Sequence, residues 1–336
     1  MTKTQRTPKP KSSRSKKVGG VLHLTEADVA ELLDMRLAVD TVEECFRRLA
    51  SGEAANVPRA RVQAPGIVLH TMSAAAGYLG LVGWKCYTTT RAGAQFHVGV
   101  YDQTTGQLLA LIEANRLGQL RTGATTGVAV QWMAPADATE VGLFGAGWQA
   151  EAQLAAVATA RPLKNAFVYS RNPEKRADFA ERMTAALGFR VSPVDRPQEA
   201  AADLPIVITA TTSSDPVFDG SWLEEGALVC AMGSNALSRA EIDATVVRRA
   251  ETIVCDSVDA CRGEAGDFVD AIEKGVFDWP RAVDLADVVA GRAVGRGRNA
   301  GLKLFKSVGL AIEDIALAAK LLTLARENGR GTVLPM

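Results

Sequence analysis

Apolar and polar positions change their period three times along this chain. Val39, Val42, Cys45, Phe46 and Leu49 recur at helical spacing, with Glu43, Glu44, Arg47 and Arg48 on the other face. That pattern predicts an amphipathic helix, which Gly52 ends. Upstream, Thr25 before Glu26-Ala27-Asp28 reads as the N-cap of a helix start. From Val57 to Ala114 the period shortens to runs such as IVLHTM, LVGWKCY, FHVGVYD and QLLALIEA. Turn-forming DQTTGQ joins the last two, so this region predicts an antiparallel meander. Residues 117–133, LGQLRTGATTGVAVQWM, read as a helix whose small side chains allow close packing against a neighbour or a ligand.

Beyond Pro135 and Asp137, short apolar runs alternate with helical stretches. The expected strands are EVGLFG (140–145), NAFVYS (165–170), IVITAT (206–211), ALVCAM (227–232) and TIVCDS (252–257), with Glu174–Leu187 one of the helices between them. Such alternation implies a parallel sheet covered on both faces. The Gly/Arg-rich 291–301 reads as a connector, and KLFKSVGLAIEDIALAAKLLTLA after it as a strand start and a long apolar helix. That helix needs a partner, and the N-terminal part of the chain is the natural one. The expected class is therefore α/β, with a doubly wound parallel sheet over 135–299 and a discontinuous α+β domain built from 18–134 and 300–336.

Composition narrows the function classes. Thirty-eight basic and 38 acidic residues cancel, so no overall field favours nucleic acid or an anionic membrane. No apolar stretch approaches the roughly 20 residues that span a bilayer. The five cysteines are scattered without a C-x-x-C, which points to reduced thiols in a cytoplasmic protein and to neither disulfides nor a metal site. Residues 1–17, MTKTQRTPKPKSSRSKK, carry seven cations, no acid and almost nothing apolar. They read as a disordered basic tail, with a polyanion-binding arm and a transit peptide as alternatives.

Candidate chemistry starts at VGLFGAGWQA (141–150), a run ending in Gly145, Gly147 and Ala150 with a strand before it and a helix after. Glycines there permit a tight turn and close backbone approach, and the helix N-terminus offers free N–H groups to a pyrophosphate. A purely structural β–α turn is the competing explanation. About 20 residues on, where a carboxylate would read an NAD ribose, the chain has Tyr169-Ser170-Arg171-Asn172. Ser170 and Arg171 suit a 2′-phosphate, so NADP(H) is expected ahead of NAD(H). Three cations outside this region stand out: Arg59 after Pro58, Lys85 within an apolar strand, and Arg121 in the small-residue helix. Each alone is more often a surface charge; together they could grip an α-carboxylate.

With VPRARV (57–62), GWKCY (83–87), NRLGQLRTGATTG (115–127), GLFGAGWQA (142–150), AMGSN (231–235), EAGD (264–267) and LFKSVGLAIED (304–314), the chain resembles the ornithine cyclodeaminase/mu-crystallin family over about residues 20–325. The resemblance implies a Rossmann-type domain and a substrate-binding, dimerising domain made from both chain ends. It also implies a nicotinamide cofactor and small amino, imino or oxo acids as ligands. Arg59, Lys85 and Arg121 match the family's carboxylate-binding cations, with Arg61 a rival for the first. Gly145, Gly147, Trp148 and Gln149 match the pyrophosphate turn, Ser170, Arg171 and Asn172 the adenosine ribose, and Thr211 and Thr212 the nicotinamide side. Arg121 and Thr122 are expected to approach the cofactor as well.

Two departures bear on the reaction. Where cyclodeaminases place a substrate-facing Glu and a catalytic Asp, this chain has His70 and Asn235. An amide is not a base and cannot pair an ammonium, so the expectation moves from ammonia lyase to imine, ketimine or amino-acid dehydrogenase-type reduction. A cyclodeaminase and a non-catalytic NADPH-binding protein remain the alternatives. Lys85 is the expected proton donor, with simple carboxylate binding as the other possibility. His70 reads first as a satisfied strand histidine, with substrate contact or an acid role as the alternative, and His97 is a lesser candidate for the pocket. Glu264 and Asp267 have no assigned role.

Overall fold

The computed structural model describes residues 20–296 and 301–335. The basic tail at 1–17 lies outside the described residues, as do 297–300 of the connector.

The first half opens with β1 (Val21–Leu24), α1 (Glu26–Leu32) and α2 (Met35–Ala50). Thr25 caps α1 in a capping box with Asp28, and the predicted amphipathic helix is α2, which buries Val39, Val42, Cys45 and Phe46. The meander follows as β2 (Ala54–Ala64), β3 (Ile67–Ala76), β4 (Leu81–Thr90), β5 (Gly93–Asp102) and β6 (Leu108–Glu113), and then α3 (Asn115–Met133). All neighbouring pairs from β2 to β6 are antiparallel, and β1 adds to β6 in parallel.

The second half contains β7 (Glu140–Phe144), α4 (Trp148–Ala160), β8 (Asn165–Tyr169), α5 (Pro173–Leu187), β9 (Arg190–Pro193), β10 (Ile206–Thr209) and β11 (Leu228–Ala231). It continues through α6 (Ala244–Arg249), β12 (Ala250–Cys255), α7 (Val258–Glu264), α8 (Val269–Glu273), β13 (Ala282–Asp284) and α9 (Leu285–Val289). After the connector come β14 (Leu302–Lys306), α10 (Ala311–Glu327) and β15 (Thr332–Leu334). Strands β7 to β14 form one eight-stranded sheet in the order β13-β12-β14-β11-β10-β7-β8-β9, parallel throughout. The other sheet runs β15-β1-β6-β5-β4-β3-β2. Gly142 is required in β7, because a Cβ there would stand 1.9 Å from the Ala200 carbonyl oxygen.

One boundary needs correction. The segment from 300 onward was expected to join the N-terminal domain as a whole, yet β14 sits in the middle of the parallel sheet, between β11 and β12. Nothing in its five residues, LKLFK, shows that the strand pairs there, and two of the five are lysines. Both are satisfied: Lys303 donates to the carbonyls of Gly226 and Gly301, and Lys306 donates to that of Ser234 while pairing with Asp267 at 2.6 Å. Only α10 and β15 return to the first sheet. Helix α10 packs against β3, β4 and α2, with Ile315 seated over Gly83. Among the described residues no helix is long and apolar enough to cross a membrane.

Candidate active site

At the carboxyl ends of the parallel strands lies a cleft of about 700 Å³. Gly145 closes the turn after β7 with φ +114°, and its N–H donates to the Tyr169 carbonyl at 2.9 Å. A side chain there would strike the Ala210 carbonyl oxygen at 2.5 Å. Gly147 caps α4 without a side-chain hydrogen bond, and a Cβ at that point would meet nothing within 4 Å. The result is an open approach to the positive end of a 13-residue helix. These residues fit a dinucleotide pyrophosphate.

Ser170, Arg171 and Asn172 line the same cleft from the end of β8, and Thr211 and Thr212 line it from the end of β10. The side-chain oxygen of Asn172 accepts from the Lys175 N–H and so caps α5, which leaves only its amide NH2 for a ribose. Lys175 also lines the cleft, a cation one turn into α5 that sequence reading passed over. Trp148, Gln149 and Thr122 are not part of this lining. Trp148 is exposed, Gln149 has a buried side-chain oxygen without a hydrogen-bond partner, and the Thr122 hydroxyl donates to Gly118 of its own helix.

Beneath the threonines is a clamp absent from the sequence expectations. The buried Glu241 carboxylate accepts from Thr211 N–H (2.6 Å), Thr211 Oγ1 (2.7 Å), Thr209 Oγ1 (2.9 Å) and Gly233 N–H (2.6 Å). It thereby fixes the ends of β10 and β11 side by side. Asp267 holds the clamp in turn by accepting from the Glu241 N–H at 2.6 Å, which gives the EAGD stretch part of its purpose. Glu241→Ala removes the acceptor of two part-buried backbone N–H groups and two hydroxyls, and a hydrogen bond of this kind contributes about 1 kcal/mol. Urea unfolding should register a loss of that order; an unchanged midpoint would show that the strand ends hold without the carboxylate.

Between the first sheet and α10, the structure brings the three expected cations together. Lys85 on β4 is fully buried and pairs with Asp314 Oδ1 at 2.8 Å; its Nζ stands 5.2 Å from the centre of the Phe96 ring. Gly118 of α3 leaves it room, since a Cβ there would lie 3.2 Å from Nζ. Arg121 donates Nη1 to Glu313 at 2.9 Å, and its Nε lies 3.3 Å from Asp314 Oδ1 without a hydrogen bond. Arg59 is 2% exposed; it pairs with Glu264 and donates Nη2 to the Val308 carbonyl at 2.8 Å. Arg61, 34% exposed, donates to Glu264 at 3.1 Å and to the Asn235 backbone carbonyl at 2.9 Å. The rivalry between the two arginines thus resolves into a buried one and a rim one. Asn235 itself is exposed.

Burial pushes the Lys85 ammonium down to about 8, with the positive fields of Arg121 and Arg59 adding to it and Asp314 opposing. Burial also raises Glu313 to about 7 against the pull of Arg121. His70 is lowered to about 4, first by burial and then by Arg61 and Arg59. A neutral imidazole is no acid near neutral pH, so that part of the expectation for His70 falls and its role as a contact remains. His97, on the opposite face of the sheet from Lys85, is exposed.

The acids that organise these cations had no assigned role in the sequence. Glu313 and Asp314 begin α10, and two carboxylates in an otherwise apolar helix were the available signal. Asp256, at the end of β12, accepts from Ser307 Oγ (2.7 Å), Val308 N–H (2.8 Å) and Gly309 N–H (2.7 Å). It holds the loop whose Val308 carbonyl receives Arg59 and whose Gly309 lies under the Arg121 guanidinium. Among the described residues, the buried Nε atoms of Arg59 and Arg121 have no hydrogen-bond partner.

The sequence profile of the ornithine cyclodeaminase/mu-crystallin family matches residues 21–328. Δ1-pyrroline-2-carboxylate reductase from Bacillus cereus is 33% identical over 231 residues, 68% of this chain and 71% of that one. Among solved structures, the Δ1-pyrroline-2-carboxylate reductase of Thermococcus litoralis, in complex with NADH and L-proline, superimposes with a TM-score of 0.89 at 33% identity, covering 94% of this chain and 100% of the other. An archaeal alanine dehydrogenase dimer with bound NAD gives 0.88 at 27% identity, with 94% and 99% covered.

Proposed function

The chain belongs to the ornithine cyclodeaminase/mu-crystallin family, and from that premise we propose that it is an NADP(H)-dependent reductase of small 2-imino acids. It is an oxidoreductase of C=N or CH–NH bonds, as its relatives are. The observation that carries the imino-acid reading is the buried cluster of Arg59, Lys85 and Arg121, with unpartnered Nε donors on both arginines. Relatives hold NADH or NAD; the preference for the phosphorylated cofactor rests on Arg171 and Lys175 in the cleft and on the absence of a carboxylate at the end of β8.

When bound, the reduced nicotinamide supplies a hydride. The arginines hold the substrate carboxylate and so present the neighbouring imine carbon to the cleft; orientation of this kind is worth several kcal/mol of a barrier. Lys85, protonated below about 8, donates a proton to the imine nitrogen as the hydride reaches the carbon and the π pair moves onto nitrogen. His70 contacts the substrate as a neutral ring. No carboxylate stands at position 70 or 235 to hold a distal ammonium, which weighs against the lyase reading.

The protein is read as a homodimer. Val57, Val62, Ile67, Leu69 and Val82 are exposed on the face of the first sheet turned away from α10, and an apolar face of that kind needs cover. A sedimentation mass equal to one 35.6 kDa chain would remove that element. Its five cysteines stand free, as suits a reducing, cytoplasmic setting.

The assay mixes protein with NADPH or NADH and either Δ1-pyrroline-2-carboxylate or a 2-oxo acid plus ammonia. Net loss of absorbance at about 340 nm is the expected result. Proline and ammonia from ornithine without net cofactor change would establish the lyase instead. Tight NADPH binding with no turnover would leave a binding protein.

A further inference from the structure

Arg61 is the cation that the carboxylate grip leaves over. It shares Glu264 with Arg59, and Glu264 is the one carboxylate that either arginine contacts among the described residues. Glu264 lies closer to Arg59, and Arg61 reaches it through Nη2 alone. Arg61 makes both of its hydrogen bonds through Nη2, so Nη1 and Nε have no partner among the described residues, and the side chain is one-third exposed at the rim.

A second orphan lies beside it. His70 is the direct cross-strand neighbour of Arg61, which puts the two side chains on the same face of the sheet. Its ring is 9% exposed and stacks on Tyr87 with 4.2 Å between centres, so its plane is fixed. Nε2 lies 3.1 Å from the Thr89 hydroxyl, and the buried Nδ1 has no partner among the described residues. The contact admits either tautomer; in the one where Thr89 donates to Nε2, the neutral ring carries its proton on Nδ1 and presents a donor, and that is the tautomer an anion would select.

We propose that Arg61 and His70 form a second anion subsite next to the buried grip, and that the substrates preferred are 2-imino dicarboxylates, with the distal carboxylate on Arg61. This rests on the imino-acid reading above and narrows it. A short apolar side chain in the same place would cover the guanidinium without pairing it, and an ammonium would be repelled by it. Only a group that accepts hydrogen bonds and carries negative charge uses Nη1, Nε and the imidazole N–H together.

The test compares kcat/KM for oxaloacetate plus ammonia with that for pyruvate plus ammonia, in the wild type, Arg61→Met and His70→Phe, the last keeping the ring stack on Tyr87. The wild type should favour the dicarboxylate by about tenfold or more, a preference that Arg61→Met removes and His70→Phe reduces. A wild-type ratio near one, or a ratio untouched by Arg61→Met, would overturn the subsite. Should neither substrate turn over, the imino-acid reading fails and the subsite is judged by binding. Succinate should then stabilise the NADPH-loaded wild type at concentrations at least about tenfold below those needed for propionate, with the difference gone in Arg61→Met. Equal binding of the two acids would overturn it.

Discussion

Lys85→Met is expected to lower kcat/KM for imine reduction by about two to four orders of magnitude, the range spanned by loss of a positioned acid. Methionine fills nearly the same volume, and Arg121 remains 3.3 Å from Asp314, so that carboxylate keeps one cation and the fold survives. The informative variant is Lys85→Arg. In the wild type the ammonium is held near 8 by burial and by Arg121, so the acid form is present below that value. The reductive rate should fall as pH rises through about 8. A guanidinium stays charged throughout, so in Lys85→Arg the alkaline fall should move out of the range while the rate drops overall. A wild-type profile that is flat across this window, measured at saturating NADPH, would show that the proton comes from elsewhere and that Lys85 only binds.

Arg171→Asp should invert coenzyme preference. The residue sits at the mouth of the cleft, where the end of β8 offers Ser170 and no acid. Aspartate there would repel a 2′-phosphate and accept hydrogen bonds from a free ribose diol. The kcat/KM for NADPH is expected to fall about tenfold or more, and that for NADH to rise. Since Lys175 lines the same cleft, Lys175→Ala should add to the loss for NADPH without harming NADH. Identical NADPH/NADH ratios in wild type and Arg171→Asp would mean that the phosphate, if accepted at all, is read elsewhere.

What could be read from the sequence follows a physical division. Period and turn chemistry report which face of an element is buried, so the meander, the strand–helix alternation and the turn at Gly145 were legible. They do not report which distant residue completes a charge. Lys85 and Asp314 are 229 positions apart and Arg59 and Glu264 are 205 apart, and nothing local marks either pairing. The cations could be singled out because a charge inside an apolar pattern is anomalous, while their carboxylates lay in stretches noticed for resemblance alone. Strand β14 was placed with the helix that follows it, whose apolar face needs the first sheet, and nothing in its five residues shows that the strand itself pairs with β11 and β12. Strands β1 and β15, four and three residues long, are too short to show any period. The Glu241 clamp escaped because a lone acid in a loop gives no hint that four donors converge on it.

The passage from β14 to α10 acts as a ruler. Four residues, Ser307 to Leu310, separate the last strand residue from the first helical one. Asp256 accepts from Ser307, Val308 and Gly309, and the Val308 carbonyl receives Arg59, so this loop is tied down along most of its length. A single insertion would have to break one of these contacts or displace the start of α10, and with it the two acids that pair with the lysine and arginine. Sequence drift can be absorbed here, but change in length cannot, and natural variants of this protein should keep this count while their surface loops grow and shrink.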